Sequence, residues 1–164
     1  MTLNDLNGLP AADAERELLK CCGSQRWAHA MTARRPYATM EELQKAAEQE
    51  WWKLKRHDWI EAFSHHPRIG DRARAQGWAS QEQSGTRNAR DDTLKELEKL
   101  NRLYEEKFGF VFLIFATGKS AEDMLHALHT RLLNREDVES RNAAGEQAKI
   151  TRLRLEKLLS AENQ

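Results

Sequence analysis

Only one stretch of this 164-residue chain has the composition of a β-strand, and that fact limits the fold more than any other. Residues 110–116 combine aromatic and β-branched side chains, which favour an extended backbone. No second segment offers this run a convincing partner, and a single strand cannot form a sheet. The run is therefore either the buried core of a helix or an extended segment whose backbone groups bond to another partner, a ligand included.

Helical periodicity dominates the remaining sequence. Two capping boxes mark helix starts, one at residues 39–42 (Thr-Met-Glu-Glu) and one at residues 120–123 (Ser-Ala-Glu-Asp). We predict an all-α fold, a single compact helical domain over residues 1–164, with about seven to eight helices and a buried extended segment near residues 110–116. The helical patterns cover residues 13–22, 24–34, 39–54, 58–64, 88–107, 124–133 and 137–159.

Charge and hydropathy exclude several classes of protein. The 26 basic and 26 acidic side chains cancel, so no overall field attracts nucleic acid or an anionic membrane surface. The longest apolar run is far shorter than the roughly 20 residues that span a bilayer, and no secretory signal is visible. Cys21 and Cys22 are adjacent, which gives neither a disulfide framework nor a C-x-x-C motif. We predict a cytoplasmic protein that binds neither nucleic acid nor membrane.

The best candidate for a reaction centre is the segment from His65 to Arg72. Pro67 disfavours the helical conformation for His66 and has no N–H to donate, so a helix ending near residue 64 must stop there. Gly70 then lets the chain turn. An imidazole at such a helix end titrates near neutral pH and is suited to proton transfer. The alternative is a histidine that only interacts with the helix dipole.

A second polar pair follows in the region from Gly70 to Gly85, which we predict to be a loop. Glu82 has the chemistry to accept a hydrogen bond from a substrate hydroxyl or to orient an imidazole. Gln83 offers one donor and one acceptor group to an amide or urea. A solvated turn is the commoner explanation of a Ser-Gln-Glu-Gln sequence.

Two arginines also have alternative interpretations. Arg154 lies about 40° from Ile150 on a helix, within the apolar face, whereas Arg152 lies about 200° away and is predicted to be exposed. A buried guanidinium needs a carboxylate partner or an anionic ligand, unless its stem packs while the charge reaches water. Arg68 either holds a substrate carboxylate or solvates the loop.

Other chemistries find less support in the sequence. The cysteines fall where a helix pattern buries them, which favours packing over nucleophilic chemistry. No phosphate-binding loop or dinucleotide fingerprint is present, so a nucleotide cofactor is not expected. A metal site is an alternative, with His65, His66, His126 and His129 as its ligands. The sequence contains no recognised spacing of metal ligands that would support this alternative.

Several motifs in this order resemble the 2-oxo-4-hydroxy-4-carboxy-5-ureidoimidazoline (OHCU) decarboxylase family, over nearly the whole chain. The resemblance is specific only for the combination, since each motif alone is weak. The motifs are residues 66–70 (His-Pro-Arg-Ile-Gly), Glu82-Gln83 within residues 80–85, residues 108–116 followed by Thr-Gly-Lys-Ser at 117–120, residues 131–134 (Arg-Leu-Leu-Asn) and residues 149–155.

The resemblance implies an all-helical fold and a decarboxylation of OHCU to (S)-allantoin in urate degradation, without cofactor or metal. It places the catalytic acid/base at His66 and the substrate-orienting carboxylate at Glu82. In relatives the residue before the motif histidine is often small, whereas here it is His65; the family pattern favours His66. Substrate contacts would come from Pro67, Gln83 and Arg154, and from the backbone of Phe112, Leu113, Ile114, Phe115 and Ala116.

The resemblance also implies that a homodimer is a possible oligomeric state, since family members are often dimers. Two functions from other classes stay open on the sequence alone. One is a non-enzymatic helical adaptor whose charged helices dock a partner, and the other is a hydrolase with a histidine-ligated metal.

Overall fold

The computed structural model describes residues 1–70, 82–86 and 90–160, and within these ranges the chain forms α-helices and no strand. The predicted all-α fold is confirmed. The eight described helices are α1 (Leu3–Gly8), α2 (Ala11–Leu19), α3 (Gln25–Ala33), α4 (Met40–Trp52), α5 (Arg56–Phe63), α6 (Asp91–Phe108), α7 (Ala121–Arg131) and α8 (Glu136–Leu158), with one 3-10 turn at Ser84–Thr86. None of these helices is long and apolar enough to cross a membrane.

The chain forms two compact units, and each has its own buried apolar side chains. The first unit comprises Met1–Ala62 together with the chain from Ala148, and the second comprises Phe63–Gln147. That the chain is one domain stays a prediction. The largest fully buried side chains are Leu6, Leu18, Trp27, Met31, Leu43 and Leu155 in the first unit, and Phe63, Leu97, Tyr104, Phe112, Met124 and Leu128 in the second.

Helix ends follow the local sequence signals. The Thr39 side chain accepts a hydrogen bond from the Glu42 N–H (3.1 Å), and α4 begins at the residue after Thr39. The Glu42 carboxylate accepts from the Ala38 N–H (3.0 Å) and not from the Thr39 N–H, so the predicted box at residues 39–42 forms only the first of its two bonds. At the start of α7, Ser120 and Asp123 exchange both bonds of a capping box (3.0 and 3.1 Å). The helix begins there rather than at residue 124, so the box itself marks the start. Gly109 ends α6 in the left-handed conformation, with φ of 80°.

One helix was not predicted. The six residues of α1 are too few for a periodic pattern to be recognised, although Thr2 and Asp5 form a capping box at its start. The predicted start of α6 near residue 88 lies outside the described residues; the described helix begins at Asp91.

Residues 110–116 contain neither helix nor strand, and most of their side chains are buried. Side chains from elsewhere in the sequence form hydrogen bonds with the backbone of this segment. The Phe115 N–H donates to the Glu146 carboxylate (3.2 Å), and the Phe115 carbonyl accepts from Lys119 Nζ (2.9 Å). The Leu113 carbonyl accepts from Arg131. The interpretation as a buried segment with other bonding partners is therefore confirmed, and the helical interpretation is wrong.

Candidate active site

The predicted stop before Pro67 places His66 just beyond a helix end. Helix α5 ends at Phe63, and the His66 N–H donates to the Phe63 carbonyl (3.1 Å). The His66 side chain is half-buried, and its Nε2 lies 2.6 Å from Oε1 of Gln147 on α8. His65, in contrast, is exposed. The structure thus places the His66 imidazole against a buried side chain and leaves the His65 imidazole in solvent.

Sequence reasoning missed Gln147, although a signal was present. Gln147 lies three residues after Ala144 and three before Ile150, so helical spacing puts its amide on the buried face of α8. The side chain is 0% exposed. Its contact residue lies 81 positions earlier in the chain, and helical periodicity alone does not identify such a partner.

Glu82 and Gln83 are buried, each with 8% of its surface exposed, so the solvated-turn interpretation is wrong for this pair. Gln83 Oε1 accepts a hydrogen bond from the Gly70 N–H (3.1 Å), which ties the pair to the turn that follows Pro67. The 3-10 turn fixes Gln83 from the other side, because the Thr86 N–H donates to its carbonyl (3.0 Å). Most of the predicted loop, residues 71–81, lies outside the described residues.

Gly85 permits a close approach between the 3-10 turn and the chain that precedes α7. A Cβ at Gly85 would lie 2.1 Å from the Lys119 carbonyl oxygen, and a backbone atom cannot give way as a flexible side chain does. The absence of a side chain at this position therefore sets where the turn that carries Glu82 and Gln83 packs.

We expect Gly85→Ala to lower the free energy of unfolding by about 1–3 kcal/mol, as overpacking does, and to reduce activity by moving this turn. Urea unfolding followed by far-ultraviolet circular dichroism measures the first effect. The control is Gly145→Ala inside α8, where a Cβ would meet no atom within 4 Å. That variant should gain about 0.5–1 kcal/mol from helix propensity. Equal stabilities for the two variants would contradict the proposed close approach.

A buried charge network holds the segment 110–116. Glu139 on α8 is 0% exposed, and its Oε1 accepts from Arg131 Nε (2.6 Å) and from the Tyr104 hydroxyl (2.6 Å). Arg131 Nη2 makes an ion-pair contact with the same oxygen without hydrogen-bond alignment. Asn134 donates to the other carboxylate oxygen (2.9 Å). Burial raises the pKa of the Tyr104 phenol, which keeps this hydroxyl a donor.

Arg131 connects this network to the segment. Its guanidinium lies over the Phe112 ring, 4.6 Å from the ring centroid, and donates to the Leu113 carbonyl. Arg131 and Asn134 are the first and last residues of the Arg-Leu-Leu-Asn motif, and both bind Glu139. The structure therefore gives that motif a physical role, which is to fix the backbone at residues 112–113.

Arg68 has a carboxylate partner. Its Nε donates to both oxygens of Glu105 on α6, at 2.8 and 3.1 Å. A cavity of about 600 Å³ lies where Arg68, Ile69 and Gly70 face α6. Among the described residues, its lining includes Arg68 but not His66, Glu82 or Gln83. The pairing with Glu105 favours a structural role for Arg68 over the substrate-binding alternative.

Arg154 lies in the first unit and is half-buried, and its Nη1 donates to the Lys20 carbonyl (3.4 Å). Arg152 is exposed, as predicted.

Burial raises the pKa of the Cys21 and Cys22 thiols to about 12, and the positive charge of Arg154 lowers these pKa values only in part. Thiols that stay protonated are poor nucleophiles, which agrees with a packing role.

The described ranges contain no group of three or more histidine, cysteine or acidic side chains placed to hold a metal ion. His126 and His129, which were considered as ligands, are exposed on α7.

Known proteins share this sequence and fold. A family model described as OHCU decarboxylase matches residues 7–156. The chain is 39% identical to the uric acid degradation bifunctional protein TTL of Arabidopsis thaliana, over 89% of this chain and 47% of that protein. It is 31% identical to the 2-oxo-4-hydroxy-4-carboxy-5-ureidoimidazoline decarboxylase of Mus musculus, over 82% of this chain and 79% of the mouse protein.

Among solved structures, an OHCU decarboxylase crystallised in the presence of (S)-allantoin matches with a TM-score of 0.79 and 40% identity, over 88% of this chain and 97% of that one. The chain spans about a third to a half of the length of the bifunctional proteins that it matches. The family model nevertheless covers most of this chain, and the predicted resemblance is confirmed. The chain belongs to the OHCU decarboxylase family.

Proposed function

We propose that this protein decarboxylates OHCU to (S)-allantoin in urate degradation, with His66 as the acid/base and Glu82 as the residue that orients the substrate. The observation that carries the proposal is the half-buried imidazole beyond α5, whose Nε2 lies 2.6 Å from a fully buried amide. Such an arrangement holds a proton-transfer group in one orientation, and the chain that provides it belongs to this family.

The proposed chemistry suits these residue types because the substrate supplies its own electron sink. The departing carboxylate is attached to a ring carbon beside a carbon–nitrogen double bond. When the carbon–carbon bond breaks, its electron pair moves toward that double bond, and carbon dioxide leaves. A proton delivered to one face of the neighbouring ring carbon then sets the handedness of the product. The protein has to orient the breaking bond and to place one proton.

We assign the substrate-orienting role to Glu82 because it is buried beside Gln83, which is bonded to the turn after Pro67. Contacts at Pro67, at Gln83 and with the Arg154 guanidinium are part of the same proposal. The backbone of residues 112–116 is proposed to bind substrate as well. Since the Phe115 N–H already donates to Glu146, a substrate that used this group would have to displace the carboxylate.

The test supplies freshly generated OHCU and follows the optical activity of the product. Spontaneous decay gives racemic allantoin, so an optical signal of one sign that grows with protein concentration is the expected result. The heat-denatured protein is the control. A signal no larger than that of buffer alone would reject the proposal, and a tight protein complex in place of turnover would favour the adaptor alternative. Loss of activity with a chelator would favour the metal-dependent one.

We further propose a cytoplasmic location and a homodimer. Two free, buried cysteines are compatible with a reducing compartment, and the dimer rests on the family resemblance. Light scattering measures the oligomeric state directly, and a monomeric mass at micromolar concentration would reject the dimer.

A further inference from the structure

We propose that Gln147 is a positioning residue that fixes the tautomer of His66, so that Nδ1 is the nitrogen that exchanges the proton. The inference rests on the proposed function, which gives His66 its role. It starts from one contact, the 2.6 Å separation between Gln147 Oε1 and His66 Nε2.

The chemistry of the two groups determines which atom carries hydrogen. An amide oxygen only accepts hydrogen bonds, so a ring nitrogen that faces it at this distance must be the donor. Nε2 therefore keeps its hydrogen in both the neutral and the protonated ring. The hydrogen that comes and goes between these two forms is the one on Nδ1.

Burial makes this orientation expensive to change. Gln147 is 0% exposed, and a buried amide oxygen that loses its hydrogen bond is unfavourable because water does not replace the donor. If the ring carried its hydrogen on Nδ1 alone, two acceptors, Nε2 and Oε1, would face each other at 2.6 Å. The contact thus selects one tautomer and also one ring orientation.

Helix α8 gives Gln147 a rigid base. Buried alanines, Ala143 and Ala144, precede it by one turn, and its neighbour Glu146 accepts from the Phe115 N–H. Two successive residues of α8 therefore hold two parts of the candidate site, the imidazole and the segment 110–116. The charged residues next along the chain have other partners, since Arg68, two residues after His66, pairs with Glu105, and Glu146, one residue before Gln147, bonds to Phe115.

Nitrogen-15 NMR of histidine-labelled protein tests the tautomer without using activity. His66→Asn identifies the His66 resonances by their disappearance. We expect a protonated Nε2 in the unaltered protein at a pH where the ring is neutral. In Gln147→Met, which is nearly isosteric and has no amide oxygen, the population with hydrogen on Nδ1 should increase. An unprotonated Nε2 in the unaltered protein, or an unchanged tautomer ratio in Gln147→Met, would overturn the proposal.

Kinetics then test the positioning role. Gln147→Met should lower kcat about 10-fold or more, as expected when a proton carrier is held less well, with little change in KM. Gln147→Glu keeps an acceptor oxygen and adds a negative charge that favours the protonated imidazole. It should retain more activity than Gln147→Met, and the His66-dependent limb of the pH profile should move upward by about one unit or more.

A matched control is Gln44, a buried glutamine on α4 whose amide donates to the Arg152 carbonyl (3.0 Å). Gln44→Met and Gln44→Glu should leave the pH profile unchanged. Equal losses in both Gln147 variants with an unmoved pH profile would reduce Gln147 to a structural residue and overturn the inference. Absence of turnover in the unaltered protein would instead reject the proposed function, and the NMR result would still decide the tautomer.

Discussion

We expect His66→Asn to fold like the unaltered protein and to lose about 10²–10⁴-fold of the proposed enzyme-dependent rate of (S)-allantoin formation, the range that a positioned acid/base contributes. Asparagine keeps a polar side chain at the end of α5 but cannot exchange a proton near neutral pH. The initial rate of optical-activity change, with spontaneous decay subtracted, measures the loss, and far-ultraviolet circular dichroism checks the fold.

The neighbouring histidine provides the matched control. His65 is exposed at the same corner, so His65→Ala should change the rate by no more than about threefold, as surface substitutions away from a site do. Near-normal turnover by His66→Asn would eliminate this ring as the proton carrier. A large loss in His65→Ala together with a small one in His66→Asn would transfer the role to the first histidine.

The location of this imidazole was predictable because the signals that set it are local. A proline inside a helical pattern ends or kinks the helix, and the chain behaves accordingly, since α5 ends at Phe63, four residues before Pro67. The N-cap bond at Thr39 and the capping box at Ser120 are equally local, and both form, although the Glu42 carboxylate accepts from the Ala38 N–H and not from the Thr39 N–H. Each of these signals acts within four residues, so its outcome depends little on the rest of the fold.

The groups that hold the imidazole and the segment 110–116 were not predictable in the same way. Glu139 and Gln147 lie on the buried face of α8, and this mixture of polar and apolar residues weakens the amphipathic pattern of that helix. Their partners, Tyr104 and His66, lie 35 and 81 residues earlier in the chain. Helical periodicity shows which side chains point inward, but the partner of each is decided by tertiary packing.

Residues 110–116 also show that the sequence predicts a local conformation but not the tertiary partners of the segment. Aromatic and β-branched residues favour an extended backbone, but they do not specify what satisfies its hydrogen bonds. In this protein Arg131, Glu146 and Lys119 bond to it through their side chains. Charged side chains thus take the place that a second strand would have in a sheet.

Removing the charge of Arg131 should have the largest effect on stability. Arg131→Met should lower the free energy of unfolding by about 3–5 kcal/mol, because breaking a buried ion pair leaves an uncompensated charge. Glu139 is 0% exposed, and its remaining donors, Tyr104, Asn134 and Asn142, are neutral. The variant also loses the bond to the Leu113 carbonyl. Urea unfolding followed by far-ultraviolet circular dichroism measures the change.

A second variant separates the cost of the lone carboxylate from that of lost packing. Adding Glu139→Gln to Arg131→Met removes the unpaired charge while Tyr104 keeps an acceptor, so the double variant should be more stable than Arg131→Met alone.

Arg135→Met is the surface control. Arg135 pairs with Asp137 at 3.1 Å, with both side chains largely exposed, so its loss should cost less than about 1 kcal/mol. If Arg131→Met were no more costly than Arg135→Met, the buried pair would not be what holds residues 112–113. If the double variant regained stability without activity, the guanidinium itself would be required to place the segment 110–116 for the substrate.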